Sequence, residues 1–308
     1  MSRMVKILRN RNFILILALL CGFLIPFGGK VFSPYIIYLL VLIMSFSTTG
    51  IKLKMLSEIK SVTKITFISI FLNYVIQGGI ILTLAYFFTD QETFYGFVVI
   101  AASPPGVAII PFTYAFKGDL NYSFKGFLGT YLLSIVITPL IITLFAKDAN
   151  IDVRHLLLLI FQIIVIPIII SRIFLLKPFI STVEKLRGRV VDWGFAIILY
   201  TAVALNKTLI LENLTIVIIS FLILFIALFV SGTVFLFLSR NNPHKDRVIS
   251  KNLMLTVKSS GFAVATILAL FNQSSAIPAA VLSIMVLLYI VVLNIQLHGK
   301  RFAPSVKQ

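Results

Sequence analysis

Ten apolar runs of about 20 residues, separated by short polar turns, constrain this 308-residue chain more than any other feature. They lie at roughly 12 to 29, 33 to 50, 65 to 88, 93 to 117, 121 to 146, 153 to 175, 190 to 206, 213 to 239, 247 to 271 and 276 to 297. A backbone crossing lipid must satisfy its own N–H and C=O groups, and runs of this length do so as helices. Hydrophobic residues make up 59% of the chain and charged residues 12%, with a mean hydropathy of +1.07, which leaves no soluble domain between the runs. The expected fold is therefore all-α and polytopic, ten transmembrane helices in one membrane domain over residues 1–308. The basic start, MSRMVKILRNRN, imitates a signal peptide, but no clear cleavage site follows and the first run reads as a retained helix.

The net charge of +17 would suit nucleic acid, but the cations are distributed as a membrane topology requires. Segments on one side carry 22 of the 27 Lys and Arg residues, whereas the other side carries Lys30, Lys147, Arg154 and Lys207. The positive-inside rule then puts both termini in the cytoplasm of a cell-membrane protein with an even number of spans, and excludes a nucleic-acid partner. One cation is left over, Lys258. An intramembrane enzyme would need paired acids, a metal site or a nucleophile with its base. The ten acidic residues lie in loops or at helix ends, His155, His244 and His298 are scattered, and Cys21 stands alone. No enzyme, cofactor or metal site is expected.

Two of the runs cannot be continuous helices. The fourth is interrupted by Ser103-Pro104-Pro105-Gly106, where two prolines remove donors and a glycine tolerates unusual dihedrals. The ninth is interrupted at Lys258-Ser259-Ser260-Gly261. Pro105 and Ser260 are 155 positions apart, about half the chain, and five spans per half give the halves opposite orientation. This pattern predicts two inverted repeats, residues 12–146 and 153–297, with broken helices four and nine crossing at the midplane. Depth agrees, since Glu92 to Pro104 and Arg247 to Lys258 each span about 16 to 18 Å of helix in a hydrocarbon layer about 30 Å thick.

Unpaired backbone at that depth is tolerated only where protein or a water-filled cavity covers it, and broken helices offer carbonyls to cations and amides to anions. Lys258 stands there with no carboxylate at its depth, too far from either surface to snorkel. Its ammonium can act as a built-in cation in the carbonyl-rich position, and can also pair with an anionic substrate; withdrawal from water leaves proton coupling open. The predicted function is an alternating-access carrier of a small organic anion in a lipid membrane, against a sensor or channel on the same scaffold. The predicted substrate-binding set is Lys258, Ser259, Ser260, Gly261, Asn73, Ser103, Pro104, Pro105, Gly106 and Thr113, with Lys258, Ser123, Thr48 and Thr201 assigned to coupling or gating. Buried amides need partners, so Asn73 and Gln77 in the third run should face the bundle interior. The hydroxyls of Ser45, Ser47, Thr48 and Thr49 either bond their own helix or line a cavity. The lysine-rich segment 51–64 reads as an interfacial anchor.

The stretch SPPGVAIIPFTYAFKGDLNYS, a Thr138-Pro139 pair in the fifth run and KSSGFA in the ninth resemble the bile acid:sodium symporter family, nearly throughout the chain in order and spacing. The resemblance implies a panel of helices 1, 2, 6 and 7, a core of helices 3 to 5 and 8 to 10, and sodium-coupled uptake of organic anions. It also implies where sodium ligands would stand. A Ser-Asn pair after the first break falls on Ile109 and Ile110, a helix-five pair on Ser123 and Phe127, a carboxylate on Met254, a Gln-Asn pair on Lys258 and Ser259, and a helix-three amide on Asn73. Sodium needs an oxygen shell, so this chain is expected to be a sodium-independent relative, with a sodium-coupled symporter using a residual site as the alternative.

Overall fold

A computed structural model describes residues 11–49, 59–106, 108–147, 153–212, 214–272 and 274–298. Helix α1 (Arg11–Leu24) is followed by α2 (Gly28–Phe32), which passes through a 3-10 turn into α3 (Ile36–Thr48). Then come α4 (Ile59–Ile70), a π-helical stretch (Phe71–Gly78) and α5 (Gly79–Phe88), which form one run. The first broken element is α6 (Gln91–Ala102) with α7 (Ile109–Ala115), and α8 (Leu120–Phe145) closes the first half. The second half holds α9 (Val153–Ile160), a π stretch (Phe161–Val165), α10 (Ile166–Phe174) and the long α11 (Lys177–Glu212). It continues with α12 (Leu214–Phe225), a π stretch (Ile226–Val230), α13 (Ser231–Leu238), the second broken element α14 (Lys245–Thr256) with α15 (Ser260–Leu270), and α16 (Ile277–His298).

Among the described residues there is no strand, and seven helical runs are long and apolar enough to cross a membrane: Gly28–Thr48, Ser61–Phe88, Leu120–Phe145, Leu157–Phe174, Lys177–Leu205, Leu214–Leu238 and Ser274–Leu297. With its apolar helices, this is a membrane protein. The packing falls into two groups: α1, α2, α3, α10 and α11 pack on one another, and α4 to α8 pack with α12 to α16. They meet where α11 lies against α15 and α16 and where α3 lies against α15. Small residues permit the closest approaches. A Cβ on Gly22 or Gly29 would lie 2.8 Å from Val203 or Ala204 of α11, and one on Gly129 would overlap Thr66.

Two boundaries differ from the sequence pattern. The basic segment before residue 190 is part of the 36-residue α11, because Lys, Arg, Glu and Leu are good helix formers and charge ends a hydropathy window without ending a helix. Pro178 at its second position fits the start of such a helix. Pro167, which cannot donate to the turn before it, is preceded by π-helical Phe161–Val165 rather than by a kinked α-helix. The expected interfacial anchor at 51–64 lies largely outside the described residues.

Candidate substrate site at the helix crossing

Each break exposes the last carbonyls of one half-helix and the first amides of the next. The two breaks first satisfy each other. Gly106 N–H donates to Val257 O at 2.9 Å and Ser259 N–H to Pro104 O at 3.0 Å, an antiparallel bridge around the pair Pro105 and Lys258. Those two residues form the non-hydrogen-bonded kind of pair, so the absent N–H of Pro105 costs no ladder bond. A Cβ at Gly106 would lie 2.9 Å from Lys258 O, which is why a glycine stands at the point of closest approach.

The remaining carbonyls are taken by side chains. At the end of α6, Ile100 O accepts from the Ser103 hydroxyl at 2.7 Å and Ala102 O from the Thr138 hydroxyl at 2.7 Å. At the end of α14, Met254 O accepts from Asn73 Nδ2 at 3.1 Å and Thr256 O from Gln77 Nε2 at 3.0 Å. Both amides lie on the π stretch between α4 and α5, fully buried. They turn inward, as expected of buried amides.

Ala101 O and Ser103 O are left for Lys258. Its Nζ donates to Asn73 Oδ1 at 2.9 Å, Ala101 O at 2.9 Å and Ser103 O at 3.1 Å, and lies 4.8 Å from the centre of the Tyr74 ring. The side chain is 2% exposed. Three oxygens match the three N–H groups of an ammonium, and the aromatic face adds a cation–π contact. Every N–H of the ammonium has an acceptor within the protein. Lys125, which the charge pattern counts with an inner turn, is also buried; it lies near the start of α8 and donates to Ser61.

Beside the crossing lies a cavity of about 50 Å³, lined by Gly106, Lys258, Ser259, Ser260 and Gly261, by Phe195, Ile198 and Leu199 of α11, and by Ser283 and Val286 of α16. That is room for a water or two, so the site is closed in this conformation. Ser259 lines it, and its hydroxyl is buried without a hydrogen-bond partner. The α11 and α16 side chains were not legible as site residues, because an apolar residue at helical spacing reads equally as core.

Other predicted residues lie elsewhere. Thr113 and Ser123 share a hydrogen bond of 2.8 Å between α7 and α8 rather than lining the cavity. Thr48 donates to Met44 O of its own helix at 2.8 Å and reaches Pro167 O of α10 at 3.5 Å, and Thr201 donates to Ile197 O of its own helix at 2.7 Å. Ser45 and Thr49 likewise bond Val41 O and Phe46 O at 2.7 Å. At the positions where the resemblance implies sodium ligands, Ile109, Phe127 and Met254 are buried at 0 to 2% exposure and offer no side-chain oxygen. Among the described residues no three His, Cys, Asp or Glu side chains come together.

The turn between α7 and α8, which closes the first broken element, is locked to the second. Lys117 takes a left-handed φ of 56°, Gly118 N–H returns to Thr113 O at 2.8 Å, and Asp119 caps α8 through Tyr122 N–H at 2.9 Å. Asp119 also pairs with Arg247 at 3.3 Å, and its N–H bonds Asp246 O at 3.0 Å.

Paired broken helices, satisfied by each other and by a buried lysine inside an apolar helical fold, define a polytopic helical membrane protein. A model of the sodium bile acid symporter family matches residues 36–215, and the chain belongs to that family, whose members are transporters rather than enzymes. The match takes in the first break and stops before the second, so Lys258 lies beyond it. No curated protein matches the chain.

Proposed function

We propose that the protein is an alternating-access secondary transporter of a small organic anion, in which the Lys258 ammonium takes the place of a coupling cation. One observation carries this: Lys258 Nζ sits within 3.1 Å of three oxygens, two of them carbonyls at the end of a broken helix. Helix-end carbonyls at a discontinuous helix are where carriers of this architecture coordinate their cation. A permanent cation there, with Ile109, Phe127 and Met254 where the family resemblance puts oxygen ligands, leaves uptake without need of sodium. The three acceptors around Nζ support a charged side chain in this conformation.

The anion belongs at the opposite polarity, the N-terminal end of α15, where Ser259, Ser260 and Gly261 line the cavity beside Gly106. Asn73, Ser103, Pro104, Pro105 and Thr113 hold the frame rather than the ligand. The seven spans together with α1 and the two broken elements make ten crossings, with both termini in the cytoplasm of a cell membrane. Two internal offsets support inverted repeats of residues 12–146 and 153–297: Pro105 and Ser260 lie 155 positions apart, as do the first residues of the π stretches at Phe71 and Ile226.

Flux into proteoliposomes under imposed sodium, proton and substrate gradients tests this, with labelled pyruvate, pantoate and taurocholate as probes. Saturable counterflow of one of these carboxylates, unchanged when choline replaces sodium, is the expected result. Uptake that only a sodium gradient drives would restore the sodium-coupled alternative, and conductance without counterflow would make the protein a channel.

A further inference from the structure

A second cavity lies on the other side of α14, away from the crossing. On one half of the bundle α5 packs directly on α12, but towards α13 the two runs part and each rests on α14 instead. The gap is a groove of about 630 Å³, within the range of sites that hold lipid-sized or drug-sized ligands. Ile76, Gly79 and Thr83 form one wall, Val230, Val234 and Leu238 the other, and Leu255 lies at its floor. A side chain at Gly79 would meet nothing within 4 Å, so the groove is open along this wall.

Charge marks one end. Beyond Leu238 comes exposed Arg240, its guanidinium 4.6 Å from the centre of the Phe237 ring, and Lys245 donates to Arg240 O. Lys245 begins α14 and Leu255 stands ten residues on, about 15 Å along the helix, or half the hydrocarbon thickness. Exposed Asp246 lies next to Lys245, and the neighbouring Arg247 is engaged with Asp119. Cations at interfacial depth and an apolar channel from there to mid-bilayer fit one ligand chemistry, an anionic head on a long chain.

We propose that this groove is a binding site for an anionic phospholipid of the leaflet on the Arg240 side, with its head group at Arg240 and Lys245 and one acyl chain running to Leu255. Because apolar contact gains little against a bilayer of hydrocarbon, the head group supplies the selectivity and the groove the position. The chain end then rests against the last turn of α14, next to Thr256, whose carbonyl holds Gln77. Occupancy props the half-helix that leads into the Lys258 break.

Native mass spectrometry of the delipidated full chain, titrated with phosphatidylglycerol or phosphatidylcholine of identical chains, tests the site. The expected result is one phosphatidylglycerol retained with a preference of roughly tenfold or more, since each basic side chain near an anionic head contributes about 1 kcal/mol. The double variant Arg240→Ala/Lys245→Ala should abolish the preference. Gly79→Phe, which fills the groove without touching protein, should abolish retention of both lipids at an unchanged unfolding temperature. Equal, stepwise uptake of both lipids that neither variant alters means annular lipid only and overturns the proposal. So does a preference that survives Gly79→Phe, which would put the head group outside the groove, and so does a dimer that Gly79→Phe disrupts, which would make the occupant a second copy.

Discussion

At the scale of single residues the crossing depends on Lys258 and what it holds together. Asn73 serves both breaks at once, donating to Met254 O of α14 and accepting from the ammonium that caps α6. Replacing Asn73 with Leu leaves a buried carbonyl and an N–H of a buried ammonium unpaired, each costing about 1 to 3 kcal/mol. Thermal unfolding of Asn73→Leu, Lys258→Met and the double variant should give a coupling energy of about 1 to 3 kcal/mol, and additive losses would show that the pair does not act as a unit. Gly106→Ala puts a methyl group 2.9 Å from Lys258 O and should lower stability by about 1 to 3 kcal/mol through parting of the ladder. An unfolding temperature equal to wild type would mean that the two breaks are not held in contact.

At the scale of elements, the broken helices show how prolines can stand in mid-membrane. Pro104 supplies only its carbonyl to the ladder, and Pro105 sits in the pair that needs no bond. Pro105→Ala should therefore change stability by less than about 1 kcal/mol, whereas loss of the fold would mean that the ring itself holds the break open. Both breaks were legible in the sequence because Pro-Pro-Gly and an apolar run containing a lysine act through local backbone chemistry and desolvation. What the breaks do to each other was not legible, since a two-bond bridge around residues 153 positions apart leaves no periodic signal. The π stretches were equally hidden; Phe71–Gly78 and Ile226–Val230 read as ordinary apolar helix. The length of α11 was missed because hydropathy measures lipid compatibility and not helicity.

At the scale of the whole molecule, the apolar runs and the distribution of cations determine a membrane protein, and the crossing gives it a centre. The panel-like group reaches that centre through α11, whose Phe195 would lie 2.4 Å from a Cβ at Gly261 and so closes the cavity in this conformation. Alternating access requires that contact to part and re-form as the two groups move, with the ammonium fixed to one of them. The most direct measurement is the unfolding temperature of the purified wild type and Lys258→Ala in sodium chloride against choline chloride. The wild type should be indifferent to sodium, shifting by less than about 1 °C. Lys258→Ala should be destabilised in choline and recover several degrees as sodium enters the vacated oxygen shell, because an ion that binds only the folded state raises its stability. Saturable stabilisation of the wild type by sodium, with no recovery in the variant, would contradict the assignment of Lys258 as the resident cation.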